Sequence, residues 1–158
     1  MHEPRPAGGR PPGGRMARLR LPHGWPPQPP DEPPLAVGVD VVDVDRFARV
    51  LAQRGSALTE RVFTADERAA CAGDVRRLAA RLAAKESAAK ALGLGIGPVA
   101  WHDVEVRAGP RGRPELALAG AALEAACAQG LGRWAVSLSH DTTHATAVVV
   151  ATAGRTGR

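Results

Sequence analysis

A regular pattern of hydrophobic positions begins at Leu35. Apolar residues alternate with others from there to Val42, which is the period of a half-buried strand. The two faces of this predicted strand are Val37, Val39 and Val41 on one side, and Gly38, Asp40 and Val42 on the other. Helical spacing follows, so we expect a first helix that begins at Asp43 or Asp45 and stops at Gly55.

Capping signals predict three more helices. The run Thr-Ala-Asp-Glu at 64–67 is a capping box, and it opens a short helix that ends at Gly73. An alanine-rich helix is predicted from Asp74 to Leu92, with Gly93 as its stop. A fourth helix spans 120–129 and ends before Gly130.

Two hairpins complete the pattern. The segments 104–107 and 116–118 are predicted strands, joined by a turn that contains Gly109, Pro110 and Gly112. The segments 134–139 and 145–151 are predicted to close the fold, and the second is apolar enough for a central strand. The order β-α-α-α-β-β-α-β-β predicts an α+β fold, a single-domain layer sandwich of a mainly antiparallel sheet with helices.

Composition divides the chain into three parts. Of its 14 prolines, 11 lie in residues 1–34, which predicts a disordered leader. A domain is expected over 35–152 and a flexible tail over 153–158. The leader lacks the apolar segment of a secretory signal, so we expect a cytoplasmic protein in which Cys71 and Cys127 are reduced core thiols.

The net charge of +5 does not indicate a nucleic-acid-binding face. Residues 35–154 carry 14 Lys and Arg against 13 Asp and Glu, so most of the excess lies at the chain ends. Duplex binding needs many phosphate contacts from one surface, and no membrane-spanning run is present. The basic excess is local: residues 46–90 contain ten Lys and Arg against five Asp and Glu.

Several polar residues interrupt these apolar elements, and each has a structural and a functional interpretation. Asp40 is either an edge residue that reaches water or an arginine, or a ligand for a hard metal. Glu86 and Lys90 form either an ordinary i, i+4 ion pair or part of a site on a helix with little side-chain bulk.

The glycine-rich run 93–97 and the polar run 137–141 are equally ambiguous. The glycine run follows a helix, which excludes a Walker loop, and it is either a cap with a linker or a phosphate-contacting loop. Ser137 to Asp141 is either a polar turn or a phosphate-binding turn. It is not a nucleophilic triad, and His140 with His144 lacks further zinc ligands.

Taken in order, these motifs resemble the holo-acyl-carrier-protein synthase family of small phosphopantetheinyl transferases. The matching segments are Gly38–Val42, Phe63-Thr64 with Glu67, Arg81–Glu86 with Lys90–Gly93, and Ser137–Asp141. The resemblance extends over residues 37–150. Two positions depart from the family pattern, because Ser87 replaces the usual alanine and Leu82 replaces a frequent aromatic residue.

This resemblance implies a reaction and its metal. The family transfers 4′-phosphopantetheine from coenzyme A to a serine of apo acyl carrier protein and releases adenosine 3′,5′-bisphosphate. Asp40 and Glu86 would bind Mg²⁺, and Lys90 would lie near the transferring phosphate. Either Glu86 or a metal-bound water would remove the serine proton.

The resemblance also implies two binding surfaces and an assembly. Coenzyme A would be contacted by Arg81, Lys85, Gly93, Gly95, Gly97 and His140. The acidic recognition helix of the carrier would dock on Arg46, with Arg49 and Arg54 as further candidates. Homotrimers with the active site between subunits are expected. The alternative function is a non-catalytic, basic α+β module that binds RNA or protein.

Overall fold

The computed structural model describes residues 34–94 and 97–154, in which nine helices and strands follow the predicted order. They are β1 (Leu35–Asp43), α1 (Val44–Val62), α2 (Ala65–Cys71), α3 (Val75–Ala91), β2 (Val104–Ala108), β3 (Pro114–Leu118), α4 (Gly120–Ala128), β4 (Leu131–His140) and β5 (His144–Ala153). Short 3₁₀ turns precede β2, at Trp101–Asp103, and β3, at Pro110–Gly112. The α+β prediction is confirmed.

The strands form two antiparallel sheets. In the larger sheet β5 lies between β1 and β4, which confirms its predicted central place, and β2 pairs with β3 in a separate hairpin. Asp40 of β1 lies opposite Ala147 of β5, and Ala147 lies opposite Leu138 of β4. This register determines which residues of the three strands contact the same part of α3.

Helix α3 lies against the inner face of this sheet at very short range. Its buried face consists mainly of alanine, so that few side chains separate the helix from the strands. A Cβ atom on Gly38 would lie 1.9 Å from the carbonyl oxygen of Ser87, which is possible only for glycine. Ser87 Oγ donates a hydrogen bond of 3.0 Å to the carbonyl oxygen of Ala147.

The helix caps follow the sequence signals, with one correction in α1. Asp43 and Asp74 cap α1 and α3, and Thr64 forms the expected reciprocal bonds with Glu67. The prediction that α1 ends at Gly55 is wrong. Gly55 has φ 63° and breaks the helix, but helical turns resume and continue to Val62.

The outer face of the larger sheet is apolar and exposed. Val37 and Val39 are 57% and 53% exposed, and Leu35, Val41 and Val148 share this face. Contiguous apolar surface of this kind is typical of a protein interaction site.

Three further predictions concern the chain ends and the thiols. Cys71 is buried, but Cys127 lies on the exposed side of α4, so the prediction of a core thiol there is wrong. Residues 1–33 of the predicted leader and 155–158 of the tail lie outside the described residues, whereas Ala153 belongs to β5. Within the described ranges, no helix is long and apolar enough to cross a membrane.

Candidate active site

The structure brings Asp40 and Glu86 together. Asp40 lies in β1, on the face that meets α3, and Glu86 lies in the part of α3 that covers this strand. Burial, then repulsion from Asp40 and the hydrogen bond that protonated Glu86 can donate to Asp40, raise the pKa of Glu86 to about 7, although Lys90 opposes the shift. Two carboxyl groups therefore face each other in a half-buried position.

This pair suits a divalent cation. Lys90 compensates Asp40 Oδ1, whereas Asp40 Oδ2 is buried and has no donor among the described residues when Glu86 is ionised. A buried carboxylate oxygen in that state is costly unless a cation or donor compensates it. The described ranges contain no group of three or more His, Cys, Asp or Glu that could hold a metal. Two carboxylates alone suit Mg²⁺, which usually retains waters and substrate oxygens in its shell.

Lys90 lies beside the acid pair, one helical turn beyond Glu86. Its ammonium group is 2.7 Å from Asp40 Oδ1 and 3.0 Å from the carbonyl oxygen of Val39. The lysine thus joins α3 to β1, in addition to its i, i+4 relation to Glu86. Its side chain is 54% exposed, so the cation remains accessible to an anionic group in solvent.

A cavity of about 480 Å³ opens beside the acid pair. Its polar lining includes Asp40, Glu86 and Arg46, and its apolar lining includes Phe47, Leu82 and Trp101. Sequence reasoning missed the role of Trp101, because this residue lies in a connection with no periodic pattern. A large aromatic residue next to a predicted strand was the available signal.

Lys85 occupies the protein interior, which disagrees with its expected role as a coenzyme A contact. Only 1% of its side chain is exposed, and its ammonium group lies 2.8 Å from Glu67 Oε2. It also donates to the carbonyl oxygens of Trp101 and Val104. All three donors are used internally, so we correct its role: Lys85 holds α2, α3 and the segment before β2 together.

Arg81 and His140 are not among the residues that line the cavity beside the acid pair. Arg81 is one and a half turns before Glu86 on α3, and its Nε is buried without a hydrogen-bond partner among the described residues. His140 ends β4, the strand on the opposite edge of the sheet from Asp40. The predicted nucleotide contact His140 and the predicted metal ligand Asp40 therefore lie on opposite edge strands of the sheet.

Gly93 and the polar turn after β4 have structural roles. Gly93 adopts φ 69° directly after α3, and its amide donates to the carbonyl oxygen of Lys90, as expected of a helix cap. Gly97 is exposed with φ 139°, and Gly95 lies outside the described residues. In the turn after His140, backbone amides of His144 and Thr143 lower the pKa of Asp141 to about 2.

The three arginines predicted to bind the carrier lie on α1 and are exposed. Arg46 lies in the first turns of the helix and lines the same cavity as Asp40 and Glu86. Arg54 lines a separate groove with Arg61 near the break in α1. A basic helical surface thus begins at the acid pair and extends away from it.

Comparison with known proteins identifies the class of protein to which this fold and site belong. Residues 36–149 match the 4′-phosphopantetheinyl transferase superfamily. Because this match covers most of the chain, the protein belongs to that superfamily. Within it, the chain belongs to the holo-[acyl-carrier-protein] synthase family. The alternative of a non-catalytic binding module is thereby disfavoured.

Relatives and solved structures support this assignment. The chain is 50% identical over 120 residues to the holo-[acyl-carrier-protein] synthase of Salinispora arenicola, covering 74% of this chain and 97% of the relative. The Neisseria meningitidis enzyme superposes with a TM-score of 0.67 at 34% identity, over 73% of this chain and 96% of that one. The Helicobacter pylori enzyme in complex with coenzyme A superposes with a TM-score of 0.67 at 28% identity, over 73% and 98%.

Proposed function

We propose that this protein transfers 4′-phosphopantetheine from coenzyme A to a serine of apo acyl carrier protein, with Mg²⁺ held by Asp40 and Glu86. In this reaction the serine oxygen forms a bond to the phosphorus that carries pantetheine. The phosphoanhydride bond breaks, adenosine 3′,5′-bisphosphate leaves, and a base in the site takes the proton of the serine hydroxyl. The observation that carries the proposal is the facing carboxyl pair, in which Asp40 Oδ2 has no donor among the described residues when Glu86 is ionised.

The side chains around the pair suit a pyrophosphate substrate. Bound Mg²⁺ would supply positive charge to the phosphate oxygens. Lys90, held by Asp40 and the Val39 carbonyl, would direct a second positive charge to the same oxygens. The apolar lining from Phe47, Leu82 and Trp101 would exclude water beside the reacting phosphate.

The carrier would approach along α1. Arg46 both lines the cavity and begins the basic surface that continues with Arg49 and Arg54. An acidic recognition helix on this surface would bring the carrier's serine to the mouth of the cavity. Exposed arginines suit this task, because they steer an acidic partner while its serine reaches the phosphate.

The nucleotide end of coenzyme A would be held by Arg81 and His140, with the glycine run alongside. His140 and Asp40 lie on opposite edge strands of the sheet, and Arg81 lies on α3, outside the lining of the cavity beside the acid pair. We therefore propose that one subunit supplies the metal ligands while its neighbour supplies Arg81 and His140. The exposed valines of β1 support a homotrimer, because a neighbouring copy would cover this apolar face.

The transfer itself is tested by the mass of the carrier. The purified protein is incubated with coenzyme A, Mg²⁺ and apo carrier, and the expected product is a carrier heavier by one phosphopantetheine. Omission of Mg²⁺ with a chelator present should stop the reaction, and addition of Mg²⁺ should restore it. A carrier mass that never changes would refute the proposed transfer.

The assembly is tested by analytical ultracentrifugation. The native chain is expected to sediment as a trimer. Val39→Lys places a charge in the apolar face and should give monomers, whereas Leu123→Lys, on an exposed part of α4, should leave the trimer intact. A native monomer with full activity would contradict the shared site.

A further inference from the structure

A close backbone contact between α3 and β1 lies directly beside the acid pair. Gly38 precedes Asp40 by two residues, so both residues face α3 from the same side of β1. A Cβ atom at Gly38 would lie 1.9 Å from the carbonyl oxygen of Ser87 and 2.9 Å from the backbone nitrogen of Ala91. Ser87 is the residue after Glu86. The contact therefore joins the backbones that carry the two carboxyl groups.

A hydrogen bond also attaches this part of α3 to the central strand β5. Ser87 is fully buried, and its Oγ donates to the carbonyl oxygen of Ala147 at 3.0 Å. Ala147 is the residue opposite Asp40 in the sheet register. Because Gly38 has no side chain, the backbone of α3 can contact β1 directly. The hydroxyl of Ser87 bonds the same part of α3 to β5.

We propose that Gly38 and Ser87 are positioning residues that set the gap between the carboxyl groups of Asp40 and Glu86, and so favour a small cation. This inference rests on the metal site proposed above. Mg²⁺ takes oxygen ligands at about 2.0–2.1 Å and Ca²⁺ at about 2.3–2.6 Å, so a few tenths of an ångström decide between them. A helix held at backbone contact leaves no freedom for the gap to widen around the larger ion.

Cation titrations of variants that separate α3 from β1 test this inference. Binding of Mg²⁺ and of Ca²⁺ is measured by calorimetry with coenzyme A present, and the ratio of the two affinities is the readout. Gly38→Ala must push α3 away from β1, because its Cβ meets backbone. Ser87→Thr adds one methyl group at a fully buried position and keeps the hydroxyl. We expect the Mg²⁺ preference to fall about tenfold in Gly38→Ala, which corresponds to about 1.4 kcal/mol, and by less in Ser87→Thr.

Gly132→Ala is a matched control. A Cβ atom there would lie 2.6 Å from Gly154 Cα, so the substitution also forces backbones apart, but at the start of β4 and just beyond the end of β5. The melting temperature should fall in both glycine variants, while the affinity ratio should change only in Gly38→Ala. A purely structural role for Gly38 would lower the melting temperature and leave the ratio unchanged.

The outcomes separate this inference from the proposed function. If the native protein binds Mg²⁺ but Gly38→Ala and Ser87→Thr keep its preference, the positioning role is refuted and the metal site stands. An equal change of ratio in Gly132→Ala also refutes it. If Gly38→Ala does not fold, Ser87→Thr decides alone. If the native protein binds neither cation, the metal site itself is wrong, and the inference falls with it.

Discussion

Lys85 and Glu86 are neighbours on α3, but their charges lie in different environments. Lys85 is buried, and its three donors meet Glu67 and two backbone carbonyl oxygens. Glu86 faces a second carboxyl group, and its pKa is raised to about 7. A charge that is fully compensated inside the protein supports the fold, whereas a charge that repels its neighbour indicates a place for a ligand. This difference separates the structural side of α3 from the side that carries the proposed metal site.

The compensated side extends through several elements. Glu67 accepts hydrogen bonds from the backbone amides of Thr64 and Val106, both at 2.9 Å, in addition to its ion pair with Lys85. Lys85 also donates a hydrogen bond to the carbonyl oxygen of Trp101, and the Trp101 side chain lines the cavity beside Glu86. The buried pair therefore supports one wall of the site without touching the proposed substrate.

Neutralising the acid pair is expected to have the largest effect. Asp40→Asn or Glu86→Gln keeps the side-chain shape but removes a charge that would bind Mg²⁺. Because metal stabilisation of a phosphoryl transfer is worth several kcal/mol, turnover should fall about a thousandfold. Steady-state rates at saturating coenzyme A and carrier measure this loss, and Glu124→Gln on the exposed face of α4 is the control. Full Mg²⁺-dependent turnover in both variants would contradict the metal assignment.

Breaking the compensated pair should instead affect stability. Lys85→Met leaves the charge of Glu67 buried without its partner, so the free energy of unfolding should fall by about 3–5 kcal/mol. The double variant Lys85→Met with Glu67→Gln should recover much of this loss. Urea unfolding measures the free energy of unfolding of the single and the double variant.

The matched control is an ion pair on the surface. Arg76 pairs with Asp74 at 3.2 Å, and the side chains are 49% and 27% exposed. Arg76→Met should therefore cost less than about 1 kcal/mol. Equal losses in Lys85→Met and Arg76→Met would mean that the buried pair does not stabilise the fold in the way described.

Charge reversal on α1 should have an intermediate effect that is confined to the carrier. Arg46→Glu places a negative charge where the acidic recognition helix is proposed to dock, so the KM for the carrier should rise about tenfold with little change in the KM for coenzyme A. Arg113→Glu in the β2–β3 hairpin is the control for net charge. A rise in the KM for coenzyme A alone would assign Arg46 to the other substrate.

The smallest effect concerns the pH dependence of stability in the absence of metal. Burial and Asp40 raise the pKa of Glu86 from 4.5 to about 7, so between these pH values the folded protein retains a proton that the unfolded chain has lost. The free energy of unfolding contributed by this group therefore falls as pH rises from about 4.5 to about 7. Urea unfolding across this range should show a smaller slope for Glu86→Gln than for the native protein. Identical slopes would argue against repulsion within the pair.

The sequence predicted the elements better than the environments of single residues. Alternating valines and capping residues were sufficient for β1, α2 and α3, because these signals are local. Lys85 and Glu86 looked alike as charges on an alanine-rich helix. Nothing in their spacing shows which of them meets Glu67 and which meets Asp40, since those partners lie in other elements.

Two further features depended on packing that the sequence does not display. Gly38 looked like any glycine in a strand, and only the position of Ser87 shows that a side chain there is impossible. The break at Gly55 was predicted, but the helical turns after it were not, because their apolar positions Leu58 and Val62 are too few to define a period. Distant contacts, rather than local preference, determine both.

The central claim is that Asp40 and Glu86 hold one divalent cation together. Electron paramagnetic resonance of Mn²⁺, with coenzyme A present, counts the bound ions directly. We predict one bound Mn²⁺ per chain in the native protein, displaced by excess Mg²⁺, and none in Asp40→Asn or in Glu86→Gln. A bound ion that persists in both variants would contradict the claim.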